Sequence, residues 1–155
     1  MRAQDASVTA GVGPGSMKFP ALPSEPGPLT EGACFAVRCL GTICHLDVSG
    51  EVDALNSLEL DAAIAGACRG HGGLIIVSFV DCRFVDCSCL NVLIRHSKEL
   101  ATRLFIIAPS ASALGRIVRR ARLTRTLPVH NSLRQAYLAI SSDPRAALGD
   151  LAMWA

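Results

Sequence analysis

The sequence lacks several features that identify common classes of protein. Half of its 155 residues are hydrophobic, yet no apolar run reaches the roughly 18 residues that a membrane-spanning helix needs. The N-terminus lacks the long apolar core of a signal peptide. Aromatic residues make up only 5% of the chain and do not alternate with the basic residues, which argues against nucleic-acid binding. We therefore expect a cytoplasmic protein with no membrane span and no nucleic-acid partner.

Catalytic and metal-binding signatures are missing as well. No Ser/His/Asp set, glycine-rich phosphate loop or pair of carboxylates with acid–base spacing stands out. The histidines His45, His71 and His130 are scattered along the chain, so we expect them to be structural or solvent-facing. The sequence therefore indicates a protein that is not an enzyme and that has no cofactor and no metal.

The chain has seven cysteines, and their spacing fits no disulfide scaffold. In a reducing cytosol we expect four of them to be small buried apolar residues: Cys34, Cys39, Cys44 and Cys68. The other three, Cys82, Cys87 and Cys89, lie at or beside one polar loop. They are either redox-active, through oxidation or a disulfide, or plain small residues.

Composition divides the chain into three parts. Residues 1–32 are rich in glycine and proline and predict a disordered tail. Residues 33–142 carry the apolar periodicity of one domain, and residues 143–155 are a C-terminal tail or a short docking helix. Charge is unevenly distributed, since residues 91–155 hold ten of the fifteen Lys and Arg residues. Such a split is typical of a protein with electrostatically different faces, and the Cys/Ala/Arg-rich composition is typical of a high-GC bacterium.

Apolar periodicity predicts the element order β-β-α-β-α-β-α-β-α. Strands Cys34–Cys39 and Thr42–Ser49 form a hairpin with its turn at Leu40-Gly41, and Leu74–Val80 is a central strand. A helix over residues 55–69 is expected to bury one stripe of side chains: Leu55, Leu58, Ala62, Ala65 and Cys68. Ser110 and Asn131 are the expected caps of the last two helices, the final one with Leu133 inward. These elements predict an α/β fold, a mixed sheet of four to five strands with helices packed against it.

One junction carries the strongest functional signal. The buried strand that begins at Leu74 runs into Asp86-Cys87-Ser88-Cys89, and a helix opens at about Ser88. A strand–loop–helix junction directs backbone N–H groups and the positive end of the helix dipole at the loop. Together with Gly50-Glu51-Val52-Asp53 upstream, this stretch resembles the STAS domain of anti-sigma factor antagonists, over roughly residues 34–142. That family typically has Gly-Glu-Leu/Ile-Asp and then Asp-Ser-Ser-Gly-Leu at these two places.

The resemblance implies a function and a set of residues. In the family, the first serine of Asp-Ser-Ser-Gly is phosphorylated by an anti-sigma factor with a serine-kinase fold, and phosphorylation breaks the complex. Here that position is Cys87, so Ser88 becomes the candidate phosphorylation site of an altered switch. The switch loop and partner-binding residues are then Asp53, Asp86, Cys87, Ser88 and Cys89. The implied function is to bind such an anti-sigma factor and release a sigma factor; the alternative is an accessory STAS subunit of a transport or stress-signalling assembly. The sequence does not decide whether the protein forms a homodimer.

Three other patterns have weaker interpretations. Cys89 and Arg95 have the spacing of a cysteine phosphatase loop, but the residues between them are apolar and helical and cannot cradle a phosphate. Cys87 and Cys89 with Cys82 or His96 lack the two-plus-two spacing of a zinc site. The arginine-rich run is either a solvated helix face or a patch that meets an acidic partner: Arg116, Arg119, Arg120, Arg122 and Arg125.

Overall fold

The structure is a computed structural model that describes residues 12–13, 16–17, 32–71 and 73–143. The chain divides into two units, Met1–Thr30 and Glu31–Ala155. In the first unit, β1 (Val12–Gly13) pairs antiparallel with β2 (Ser16–Met17). Apart from these strands, Gly32 and Asp143, the two predicted tails lie outside the described residues, and the domain boundaries stay a prediction.

The described residues of the second unit form a five-stranded sheet and four α-helices. Its strands are β3 (Ala33–Leu40), β4 (Ile43–Val52), β5 (Leu74–Val85), β6 (Leu104–Ile107) and β7 (Val129–His130). Its helices are α1 (Ser57–His71), α2 (Cys87–Leu100), α3 (Ala113–Arg120) and α4 (Leu133–Ser142). Short 3-10 turns span Ala101–Arg103 and Leu123–Arg125. The predicted element order and the mixed α/β fold class are confirmed. None of the described helices combines the length and the apolar character needed to cross a bilayer.

The sheet has the strand order β3-β4-β5-β6-β7, in which β3 and β4 are antiparallel and the other pairs are parallel. Each crossover from β4 to β7 moves one strand in the same direction. Because such crossovers are right-handed, α1, α2 and α3 all pack on one face, where they share the main core with the sheet. Helix α4 packs on the opposite face through Ala136 and Ile140. This order places the carboxyl ends of the parallel strands along one edge.

The first helix buries a different face from the one predicted. It begins at Ser57, and its buried apolar residues are Leu60, Ile64 and Ala67. Leu55 precedes the helix and is 90% exposed, and Leu58 is 74% exposed. Of the remaining stripe, Ala62 is exposed and Ala65 and Cys68 are half-buried. The predicted stripe was wrong because it was counted from a residue that is not yet in the helix.

The predicted caps of the last two helices were each displaced. Helix α3 is capped by Ser112, whose hydroxyl accepts a hydrogen bond from the backbone N–H of Gly115 at 3.1 Å, and not by Ser110. Helix α4 is capped by Ser132 and not by Asn131. Consequently Leu133 is the first residue of α4 and is 42% exposed. Neighbouring serine and asparagine residues are comparable caps, so the sequence alone does not choose between them.

The prediction of four buried apolar cysteines was only partly right. Cys44 is buried, Cys68 is half-buried and Cys34 is exposed. Cys39 and Cys44 are joined by a disulfide across the β3–β4 hairpin. The strand register places these two residues directly opposite each other, where side chains of an antiparallel pair approach most closely. The hairpin turn itself is Gly41-Thr42, one residue later than predicted, since Leu40 pairs with Ile43.

Candidate functional site

Two loops lie side by side at the carboxyl edge of the sheet. Val52 is the last residue of β4 and pairs with Val85, the last residue of β5. The backbone N–H of Asp86 donates a hydrogen bond to the carbonyl oxygen of Val52 at 3.1 Å. Asp53 therefore begins one loop directly beside Asp86, which begins the other. Ligands of open α/β sheets bind at this edge, so the two loops form the candidate site.

The second loop consists of Asp86 alone, and this residue is also the N-cap of α2. Its backbone is extended, and its Oδ1 accepts hydrogen bonds from the N–H groups of Ser88 at 2.8 Å and Cys89 at 3.3 Å. The helix then begins at once with Cys87. The carboxylate thus occupies the positive end of the helix and fixes the orientation of the first turn.

The first turn of α2 places its three small side chains in different environments. Cys87 is exposed, Ser88 is half-buried and Cys89 is buried. A helix rotates successive side chains by about 100°, which accounts for the change from solvent to core within three residues. Only Cys87 and Ser88 are therefore accessible to a modifying enzyme or a partner without opening the fold.

The first loop is longer and is organised by Asp53. Its Oδ1 accepts hydrogen bonds from the N–H groups of Leu55 at 2.9 Å and Asn56 at 3.2 Å. The side chain of Asn56 closes the turn, since its Oδ1 accepts from the N–H of Asp53 at 2.8 Å and its Nδ2 donates to the carbonyl of Glu51 at 2.8 Å. Asp53 thus caps the turn and also lies beside the Asp86 loop.

Gly50 is required where β4 bends into this loop. Its φ is +84°, a region that favours glycine, and an added Cβ would overlap the carbonyl oxygen of Gly32. The parallel register between β4 and β5 also shifts at this point, between Gly50 and Glu51. The glycine of the Gly-Glu-Val-Asp motif is thus explained by backbone geometry.

Two of the three loop cysteines are buried and poor nucleophiles. The thiol of Cys82 donates to the carbonyl oxygen of Phe84 at 3.2 Å, and burial raises its pKa. Burial is also the largest cause that raises the pKa of Cys89, with the neighbouring Cys82 and Asp86 adding to it. Both groups are therefore protonated at neutral pH, whereas the thiolate is the reactive form. Cys87 is the accessible thiol of the three.

Apolar side chains beside the first loop were not predicted to be part of the site. Leu55 follows Asp53 by two residues and Leu58 lies in the first turn of α1, and both are largely exposed. Phe84, on β5 two residues before Asp86, is 48% exposed. The turn formed by Asp53 and Asn56 delays the start of α1 and leaves both leucines exposed, and apolar periodicity carried no signal of this.

The alternative phosphatase and metal interpretations find no support in the geometry. Cys89 is buried, whereas the guanidinium of Arg95 forms an ion pair with Asp61 at 2.5 Å. The imidazole of His96 is buried and lies 2.6 Å from the same carboxylate. Within the described part of the chain, no three His, Cys, Asp or Glu side chains form a group that could hold a metal ion.

Comparisons with known proteins agree on the fold. A family model described as the STAS domain matches residues 35–136. A search of curated proteins finds no significant match.

Solved structures of anti-sigma factor antagonists are similar to this chain. An antagonist from Mycobacterium paratuberculosis has a TM-score of 0.65 and 19% identity, covering 73% of this chain and 97% of that one. SpoIIAA in its unphosphorylated form has a TM-score of 0.54 and 18% identity, covering 71% and 98%. The phosphorylated form of SpoIIAA from Bacillus has a TM-score of 0.50 and 19% identity, covering 69% and 99%. At these identities the likeness establishes the fold alone.

Proposed function

The chain belongs to the STAS domain family, and on that premise we propose that it is an anti-sigma factor antagonist. It binds an anti-sigma factor with a serine-kinase fold and thereby releases a sigma factor. The observation that supports this function is the pairing of Val52 with Val85, which brings the Asp53 loop beside the N-terminus of α2. This arrangement is suited to binding a protein surface and not to catalysis, since the accessible groups are two loops, a hydroxyl, a thiol and exposed leucines.

We assign the regulatory switch to Ser88. Its side chain is half-buried in the first turn of α2, and its N–H already donates to Asp86. A phosphoryl group there would add a charge of about −1.5 to −2. It would compete with the Asp86 carboxylate for the same helix N–H groups and repel both Asp86 and the adjacent Asp53. Phosphorylation would therefore rearrange the loop and release the partner.

Cys87 is the second point of control in this proposal. It is the exposed member of the loop cysteines, and it stands at the first position of α2. Oxidation of this thiol to a sulfenic acid by hydrogen peroxide, which is itself reduced to water, would add bulk and polarity at the binding surface without any kinase. Cys82 and Cys89 could take part only if the loop opened, because both are buried.

The test is an affinity pull-down from the native host with thiols trapped at lysis, followed by mass spectrometry of partners and of the 84–95 peptide. We expect a kinase-fold partner. Phosphate on Ser88 would identify the displaced switch, and a modified Cys87 would identify redox control. Capture of a transporter or stress-signalling component with no kinase-fold protein would overturn the proposal in favour of an accessory STAS subunit.

Substitutions separate the switch from the binding function. Ser88→Asp is expected to weaken binding of the kinase-fold partner by about tenfold, as for like charges brought together at an interface. Ser88→Ala should bind normally and accept no phosphate at this position. Ser142→Asp, at an exposed serine at the end of α4, is the matched control. Equal phosphorylation of wild type and Ser88→Ala would show that the phosphorylated residue is not Ser88.

A further inference from the structure

A groove of about 640 Å³ lies between the end of β5 and helix α3. Strand β6 pairs with β5 only over Ile75–Ser78, so the last residues of β5 continue beside α3. The apolar part of the groove is formed by Phe84, Val85, Ala113 and Ile117. The ring of Phe84 is half exposed, so it offers apolar surface that a partner could cover.

The same groove is strongly cationic. Its remaining lining residues are Arg83, Arg116, Arg119 and Arg120, all of them exposed, and no acidic side chain lines it. Arg38, Arg95 and His96 form ion pairs among the described residues, and none of these pairs includes an arginine of the groove. The positive charge of the groove is thus not neutralised by an ion pair within the described residues.

Helix electrostatics accounts for only part of this cluster. Arg119 and Arg120 lie in the last turn of α3, where the helix dipole favours positive charge. Arg116 lies one turn earlier, three and four residues from them, so these like charges repel one another across the helix surface. Arg83 is on a strand and gains nothing from the helix. A negatively charged occupant would relieve this repulsion.

We propose that this groove binds an acidic segment of a partner protein, with an apolar side chain of that segment packed against Phe84 and Ile117. A small molecule fits less well, because small-molecule sites enclose most of their ligand and this groove is lined by exposed arginines. Single-stranded nucleic acid fits less well too, because it stacks on successive aromatic rings and Phe84 is the one aromatic residue of the lining. This surface adjoins the proposed switch, because Phe84 and Val85 directly precede Asp86, but the proposal does not depend on modification of Ser88 or Cys87.

The experiment measures fluorescence anisotropy with a labelled peptide of about 12 residues, in which Phe and Leu are spaced among Asp and Glu. Two control peptides replace every acid by Gln or every apolar residue by Ser. A short single-stranded oligodeoxynucleotide with the same label is a third control. We expect the acidic, apolar peptide to bind most tightly, and we expect added salt to weaken it.

Charge reversal with a matched control locates the binding. Arg83→Glu/Arg116→Glu is expected to weaken binding of the peptide by about tenfold. Arg125→Glu/Arg134→Glu changes the net charge equally at exposed positions outside the groove and is expected to weaken it by less than about twofold. Phe84→Ala should also weaken binding while leaving its salt dependence in place. Circular dichroism checks that each variant is folded.

Amide chemical shifts of the wild-type protein provide a readout that needs no variant. Peptide-induced shifts that cluster at Phe84, Val85, Ala113 and Ile117 would support the proposal. It would be overturned by shifts clustered elsewhere, by equal weakening in the two double variants, by tighter binding of the oligonucleotide, or by no peptide binding. Because the probe is a peptide and not the anti-sigma factor, each of these results leaves the proposed function untouched.

Discussion

The two loops of the candidate site are both organised by an aspartate, yet they present opposite kinds of surface. Asp86 caps α2 directly, so that helix begins at the next residue and Cys89 is already buried. Asp53 instead caps a turn, and α1 begins only at Ser57. The delay leaves Leu55 exposed. A short connection therefore presents modifiable side chains, and a longer one presents apolar contact surface.

This difference suggests a division of roles. The Asp86 loop is held by one carboxylate that accepts two N–H groups, so a phosphoryl group on Ser88 has a single competitor. The Asp53 loop is closed from both sides by Asn56 and is harder to rearrange. We infer that a modification changes the first turn of α2 while the apolar surface stays in place.

The largest effect on stability is expected at the glycine that leads into the Asp53 loop. Gly50→Ala forces a side chain into a left-handed backbone and against the carbonyl oxygen of Gly32. We expect the free energy of unfolding to fall by about 2 kcal/mol or more, measured by urea denaturation. Gly66→Ala is the matched control, because nothing lies within 4 Å of its added Cβ. It should stabilise α1 by up to about 1 kcal/mol; equal losses in both variants would contradict this account of Gly50.

The next largest effect on stability is expected at the two aspartates that organise the loops, Asp86 and Asp53. Asp86→Ala removes the N-cap of α2 and is expected to cost about 1 kcal/mol, whereas Asp86→Asn should retain most of the stability. Asp53→Ala should cost less, about 0.5 kcal/mol, because the hydrogen bond from Asn56 to Glu51 remains. Urea denaturation of the three variants measures the ranking. A greater loss at Asp53 than at Asp86 would reverse the proposed difference in rigidity.

The architecture and the α2 junction could be predicted because local patterns determine them. Buried parallel strands read as apolar runs, and an aspartate before a helix is a strong cap. The inner face of α1 could not be predicted, since it depends on where the helix begins. That start is set by the side chain of Asn56 bonding to the backbone of Glu51 and Asp53, an interaction that periodicity does not encode.

Contacts between residues that are far apart in the chain also could not be predicted from the sequence. His96 is buried in α2 because Asp61 comes from α1, 35 residues away, to accept its hydrogen bond. The arginine run of α3 was visible, but the groove also needs Arg83 and Phe84 from the end of β5. The disulfide between Cys39 and Cys44 follows from a hairpin register that was predicted with its turn one residue early.

A smaller effect on stability is expected at Asp61. This residue of α1 contacts Arg95 and His96 of α2 and so joins the two helices that begin at the loops. Burial alone would raise the pKa of Asp61, but hydrogen bonds from Arg95 and His96 lower it below its ordinary value of 3.8. The contribution of the ionised Asp61 to the free energy of unfolding is therefore complete above pH 3.8, and it is lost as the pH falls through the lowered pKa of the folded state. We expect Asp61→Asn to cost up to about 1 kcal/mol at pH 7.

The pH dependence is the sharper part of that prediction. The difference in the free energy of unfolding between wild type and Asp61→Asn should shrink as the pH falls below 3.8, measured by urea denaturation at several pH values. Asp81→Asn, at an exposed position of β5, should stay within about 0.5 kcal/mol of wild type throughout. A difference for Asp61→Asn that grows toward low pH would show that the carboxylate opposes folding.

The smallest effect on stability, and the most direct test of the two surfaces, is expected at the exposed leucines. Leu55→Ser/Leu58→Ser should leave the free energy of unfolding within about 0.5 kcal/mol of wild type. It should nevertheless weaken binding of the captured kinase-fold partner by about tenfold, equivalent to about 1.4 kcal/mol, measured by titration calorimetry. Leu133→Ser/Leu138→Ser removes two leucines of α4 that are also exposed, on the opposite face of the sheet, and should not weaken binding. Normal binding by the first variant would confine the interface to the Asp86 loop, because a contact surface that can lose both leucines without cost contributes nothing to recognition.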